Sequence, residues 1–172
     1  MAARGYETML DAIGVDFINE PLLAWGYYAT RMKWYRETEP HEGYYKLLDI
    51  ARVRNIYREK GIRHNLHAEI QTKVPNCWVF TSNVDELHAK SGFPPERIYR
   101  KQGSYKYLQC IRGAACSTTT WEAEPLLRTL QDNVDPDTLI ARNEKDIPRC
   151  PNCNWVMYHN ANAGPNWLHH RY

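Results

Sequence analysis

Two groups of residues in this 172-residue chain have types and spacing that could do chemistry. The first is cysteine. Cys150-Pro151-Asn152-Cys153 is a C-x-x-C knuckle, a spacing at which a tight turn lets two thiolates bind one metal while backbone N–H groups face the sulfurs. A tetrahedral structural zinc needs four ligands, and the second pair would be Cys110 and Cys116. Five residues separate those two, and 33 lie between Cys116 and Cys150, both longer than the commonest zinc-ribbon intervals. Small buried hydrophobes or a redox pair are the competing readings. The segment holding these cysteines is short of large aliphatic residues to close a core, which favours zinc. Cys77 lies inside a β-rich run and reads as a core residue. His64, His67, His169 and His170 read as surface histidines.

The second group lies in "VFTSNVDELH", residues 79–88. A hydrophobic strand runs into a polar turn carrying Ser82, Asn83 and Asp85. Polar groups at the carboxyl end of a buried strand are where open α/β folds bind ligands.

The elements that would position these groups follow from pattern. "EPLLAWGYYATRMKWYRE" predicts a helix with Pro21 in its first turn and Leu23, Tyr27, Trp34 and Tyr35 near one side. "YYKLLDIARVRNIYREKG" predicts a second amphipathic helix closed by Gly61. Its Arg52, Arg54, Arg58 and Lys60, with Arg63, read as a solvated basic face. Short strands are expected at "NCWVFTSN" and "ERIYRKQGS", with one or two helical turns between them ending at Gly92. From Tyr105 onward the sequence reads as irregular apart from a helix at "EAEPLLRTLQDN", and the tail "MYHNANAGPNWLHHRY" has no clear period. Residues 1–104 are expected to be a helical and partly Rossmann-like part, and residues 105–172 a zinc-binding module with a tail.

Composition narrows the class. Hydrophobic residues make up 43% and charged residues 24%, which suits a folded globular chain rather than a disordered one. A net charge of +2 argues neither for nor against a polyanionic partner, and nucleic acid is not expected because no aromatics alternate with the basic run. No run approaches the ~18 apolar residues of a membrane-spanning helix. No signal peptide is visible, and the cysteine usage points to an intracellular, reducing compartment.

"FTSNVDELHAKSGF", "RIYRKQGSYKYLQC" and "IPRCPNC", in this order, resemble the sirtuins, the NAD-dependent protein deacylases. The strand–turn is closest to a bacterial branch reading T-S-N-V-D-G, and "EPLLAWGYYATRMKWYRETEPHEGYYKLL" is similar to the segment upstream of it. The resemblance implies an α/β fold, a partial Rossmann-like sirtuin core beside a zinc-ribbon-like small module. It implies that Cys110, Cys116, Cys150 and Cys153 hold a structural Zn²⁺. It also implies that Asn83 and Asp85 line the nicotinamide and ribose pocket, with Ser82 where most sirtuins have Gln; His88 matches a family position without a chemical role.

The departures from the family pattern shape the functional expectation. The family's x-His-Gly supplies a general base for the NAD ribose hydroxyl, and the matching stretch here is Lys101-Gln102-Gly103. An amide has no pKa near neutrality and cannot take that proton. The family's Gly-Ala-Gly phosphate loop does not occur in "MAARGYETML", and 19 residues follow Cys153 where further Rossmann strands are expected. The expectation is therefore a sirtuin-like pseudoenzyme with a vestigial pocket that does not bind NAD tightly. It would be an accessory subunit whose open sheet edge and aromatic surface are covered by other protein subunits. The alternative is an NAD-dependent deacylase or NAD-consuming hydrolase completed by other segments or another chain.

Overall fold

The computed structural model describes residues 16–60, 77–161 and 166–168, without the side chains of residues 54–60. The described residues divide into two compact units: 16–37 with 103–161 and 166–168, and 38–60 with 77–102. The first helix lies in the same unit as the cysteines.

In the first unit, α1 (Pro21–Glu37) starts where Asp16 organises the preceding turn, its carboxylate accepting from the N–H of Ile18 at 2.7 Å and of Asn19 at 3.1 Å. Residues Leu23 to Ala29 are buried around the whole helix, so its first turns have no solvent face. This corrects the one-sided reading, since Trp34 is 57% exposed. Gly26 costs helix propensity of about 1 kcal/mol relative to alanine, but a Cβ there would lie 2.2 Å from the Leu139 carbonyl oxygen. The residue keeps its place because the 139–141 backbone crosses the helix there, and Ala141 N–H donates to Leu22 O at 3.0 Å.

β3 (Gly103–Cys110), β4 (Thr120–Glu122) and β5 (Met157–Ala161) form an antiparallel sheet with β3 in the centre. All three strands correct the sequence reading, which had an irregular segment from Tyr105 and an aperiodic tail. β5 is buried at all five positions, so it carries no polar/apolar alternation by which to recognise it. α4 (Ala123–Asp132) buries Ala123, Leu127 and Leu130 at helical spacing, as expected. Trp25, Met32, Leu108, Leu127, Leu130, Ile147 and Met157 build one core that includes Cys110 and Cys150. The cysteine segment thus has the large aliphatics it seemed to lack, drawn from elements far apart in sequence. The buried Trp25 indole donates to the Met157 carbonyl at 3.0 Å and ties α1 to β5.

His159, in β5, is buried among aromatic rings, with centroids 4.3 Å from Tyr28 and 4.9 Å from Tyr105. Its Nδ1 accepts from the Ala161 N–H at 3.4 Å, and burial pushes its pKa down to about 3. A neutral native histidine whose unfolded counterpart titrates near 6.5 gives stability that is complete above that pH and is lost as pH falls toward 3. At pH 5 the loss should be about 2 kcal/mol, from roughly 1.36 kcal/mol per pH unit below 6.5. Denaturant titrations between pH 7 and 5 should therefore be flatter for His159→Phe than for the wild type, and parallel curves would refute this origin.

In the second unit, α2 (Glu42–Lys60) packs Leu48 and Ala51 against Phe93, Ile98, Cys77, Val79 and Ala89. Cys77 thus joins this cluster, in keeping with its reading as a core residue. β1 (Val79–Thr81) and β2 (Ile98–Arg100) pair in parallel, joined through the one-turn helix α3 (Leu87–Lys90). Trp78 and Phe80 project from this pair at 73% and 69% exposure, and the Phe80 ring stacks on Tyr99 at 5.0 Å. Gly61, Arg63, His64, His67, His169, His170 and the side chains of Arg54, Arg58 and Lys60 lie outside the description.

Candidate metal centre

Three separate pieces of the first unit deliver one cluster of four sulfurs. Cys110 ends β3, Cys116 follows a single 3-10 turn at Gly113–Ala115, and Cys150 and Cys153 flank the knuckle. The knuckle closes because Cys150 N–H donates to Trp155 O at 2.8 Å and Asn154 N–H to Cys150 O at 2.9 Å. Asn154 has a φ of 57°, a left-handed conformation that asparagine tolerates better than most residues.

The four Sγ atoms lie within 4.8 Å of one another, with Cys110–Cys153 at 3.6 Å and Cys116–Cys150 at 3.8 Å. These are not disulfide distances, and all four cysteines are free. A tetrahedron of sulfurs about 2.3 Å from a zinc ion has edges of roughly 3.8 Å, so the donor set and spacing suit Zn²⁺.

The local electrostatics fit the same role. The Trp155 backbone N–H pulls the Cys153 thiol down to about 7, whereas burial pushes Cys110 up to about 12 and the hydrogen bond with Cys153 raises Cys116. A divalent cation supplies the charge that lets all four ionise.

The strand–turn residues lie in the other unit. Ser82 and Asn83 are exposed and Asp85 is half-buried. Asn83 N–H donates to Thr81 Oγ1 at 2.9 Å, and Asp85 Oδ1 accepts from Leu87 N–H at 3.1 Å. Asp85 thereby begins α3. His88 lies 4.8 Å from the Tyr44 ring, and burial lowers its pKa. Gln102 is exposed in the turn between β2 and β3. Gly103 after it has a φ of 75°, and a Cβ there would lie 2.1 Å from the Asn160 carbonyl oxygen. Glycine is thus required at position 103 for a steric reason.

Sequence reasoning missed an ion pair beside this turn, between Glu86 and the buried Arg100. An arginine in a short strand carries no sequence signal of burial. It also missed His159, whose β5 neighbours gave no period.

A family model described as the Sir2 family matches residues 27–161. The chain belongs to the Sir2, or sirtuin, family. Among its curated relatives is a probable bifunctional ADP-ribose hydrolase/ADP-ribosyltransferase of Fusarium oxysporum f. sp. cubense. It is 32% identical over 93 residues, 54% of this chain and 15% of that protein. NAD-dependent protein deacylase 2 of Pseudomonas syringae pv. tomato is 40% identical over 57 residues, 33% of this chain and 23% of its own. The chain therefore spans well under a third of the curated relatives it matches. Among solved structures, a Sir2 homologue mutant in complex with ADP-ribose aligns at a TM-score of 0.56 and 17% identity, covering 94% of this chain and 49% of that one. A Sir2 homologue–NAD complex aligns at 0.51 and 19%, covering 84% and 41%. These structures establish the sirtuin fold, with its Rossmann-like core. No described helix is long and apolar enough to cross a membrane.

Proposed function

We propose that this chain is the zinc-bearing part of a sirtuin that does not deacylate proteins, and that the NAD chemistry left to it is ADP-ribosyl transfer. Gln102, followed by the sterically required Gly103, is the observation that carries this reading. Deacylation needs a proton acceptor at a ribose hydroxyl, and an amide can only exchange hydrogen bonds with that hydroxyl. Transfer of ADP-ribose makes no such demand. The bond from ribose C1′ to nicotinamide breaks, nicotinamide leaves with the bonding electrons, and an acceptor nucleophile bonds C1′ and gives its proton to solvent. The Fusarium relative named for ADP-ribosyl transfer supports this choice.

In this reading Cys110, Cys116, Cys150 and Cys153 hold a structural Zn²⁺ in a reducing compartment. Asn83 and Asp85, with Ser82 beside them, face the nicotinamide end of NAD. The test is incubation of the chain, with any polypeptide that copurifies, with labelled NAD and candidate acceptor proteins. Label should become covalently attached to a protein while an acetyl-lysine peptide stays acetylated. Deacetylation would overturn the reading.

A second reading is a non-catalytic accessory subunit, for which NAD is not a ligand. The exposed Trp78 and Phe80 on a two-stranded parallel pair favour it, because parallel strands occur almost only in sheets covered on both faces. The partner would be a protein subunit adding strands and helices to that sheet. Absence of transferred label, together with a stoichiometric partner in native purification, would select this reading over the first.

A further inference from the structure

Glu86 stands at a backbone position that disfavours it. Its φ of 61° and ψ of 10° are left-handed, immediately after Asp85 and at the start of α3. A residue with a Cβ pays conformational strain there that glycine does not. Its carboxylate is gripped from the neighbouring strand. Arg100 Nε donates to Oε1 and Nη2 to Oε2, each at 2.6 Å, while Nη1 donates to the Ile98 carbonyl at 3.1 Å. Arg100 is 4% exposed. A forked guanidinium fixes direction as well as charge.

The pair also closes a loop. Arg100 is in register with Thr81, the last residue of β1, and Lys101 N–H donates to Thr81 O at 2.9 Å. The turn leaves the sheet at Thr81, passes through Ser82, Asn83 and Asp85, and is caught again at Glu86 by a side chain rooted opposite its starting point. Lys90 N–H then donates to Glu86 O at 3.0 Å, so the same residue anchors α3.

We propose that Glu86 and Arg100 act as a positioning clamp, holding the Ser82–Glu86 turn in the conformation that presents Asn83 and Asp85 to ligand. The role of those two residues rests on the reading under Proposed function; the clamp itself does not. Neither clamp residue is assigned a catalytic part. The arrangement makes a non-additive demand. With Glu86 present, Arg100 is needed to compensate both a desolvated carboxylate and a strained backbone. With glycine at position 86, neither cost exists and Arg100 loses the carboxylate that its guanidinium grips.

The test is amide hydrogen exchange of the zinc-loaded full chain without nucleotide, read at Asn83, Leu87 and Lys90 and, for reference, along α2. Arg100→Met should speed exchange at the turn by roughly tenfold or more while α2 stays within about twofold, because local opening is released without global unfolding. Glu86→Gly/Arg100→Met, with no buried charge and no strain, should bring the turn back to within about threefold of wild type. Turn exchange unchanged in Arg100→Met would overturn the clamp, as would a double variant as fast as Arg100→Met. An equal rise along α2 would reduce the pair to a general stabiliser of the unit and overturn it too. No outcome depends on NAD, so a protein that transfers no ADP-ribose can still show the clamp, and the converse.

Discussion

One zinc ion per chain is the expected result of elemental analysis on protein purified without chelators, and Cys150→Ser should abolish it together with the packed first unit. Apparent binding energies of structural zinc are about 10–16 kcal/mol, whereas whole domains are stable by about 5–15 kcal/mol. Cys110 and Cys150 are buried in the same core as Leu108 and Met157, so the metal is continuous with the packing that holds β3 and β5. A serine at position 150 neither ligates zinc well nor fits an apolar environment. Near-UV circular dichroism should collapse in the variant and in wild type treated with a strong chelator. The Leu48, Phe93 and Ile98 cluster contains none of these cysteines, so amides of α2 should keep their protection. Wild-type protein without stoichiometric metal, or a Cys150→Ser protein with native near-UV signal, would sink the assignment.

Incubation with NAD and an acetyl-lysine peptide should leave the peptide acetylated. Loss of a general base costs about 10²–10⁴ in rate, because the ribose hydroxyl must then attack as a neutral group. Gln102 is exposed in a turn, and its carboxamide offers one acceptor and two donors but no site that can hold an extra proton near neutrality. The measurement is peptide mass over time, with nicotinamide release followed in parallel. Nicotinamide released without deacetylation would agree with ADP-ribosyl transfer. Deacetylation by the wild type would mean that another residue takes the ribose proton, and the role given to Gln102 would fall.

Much of this molecule is legible in order of sequence. The cysteine pairs, the T-S-N-V-D turn, the helix starting at Pro21 and the amphipathic α4 each carry a local signal: a spacing, a turn chemistry, a first-turn proline or a period. Such signals survive because short-range backbone geometry imposes them whatever surrounds the segment. The longest strand and the tail strand carried no such signal. β5 is buried on both faces, so its residues Met157 to Ala161 need only fit their neighbours.

By itself the sequence determined which residues could ligate a metal and where the strand–turn lies. Tertiary structure decided three things that no local pattern encodes. It closed four sulfurs separated by long intervals to within 4.8 Å, since the ends of β3 and the knuckle meet only across a sheet. It gave the cysteine segment a core by bringing Trp25 and Met32 of α1 against Leu108 and Met157. It set Arg100 beside Glu86, because parallel pairing of β1 with β2 places Arg100 opposite Thr81 and the turn folds back over it. In each case the deciding contact joins residues that chain connectivity leaves far apart or on different elements, and only the free energy of burying and pairing them selects the arrangement.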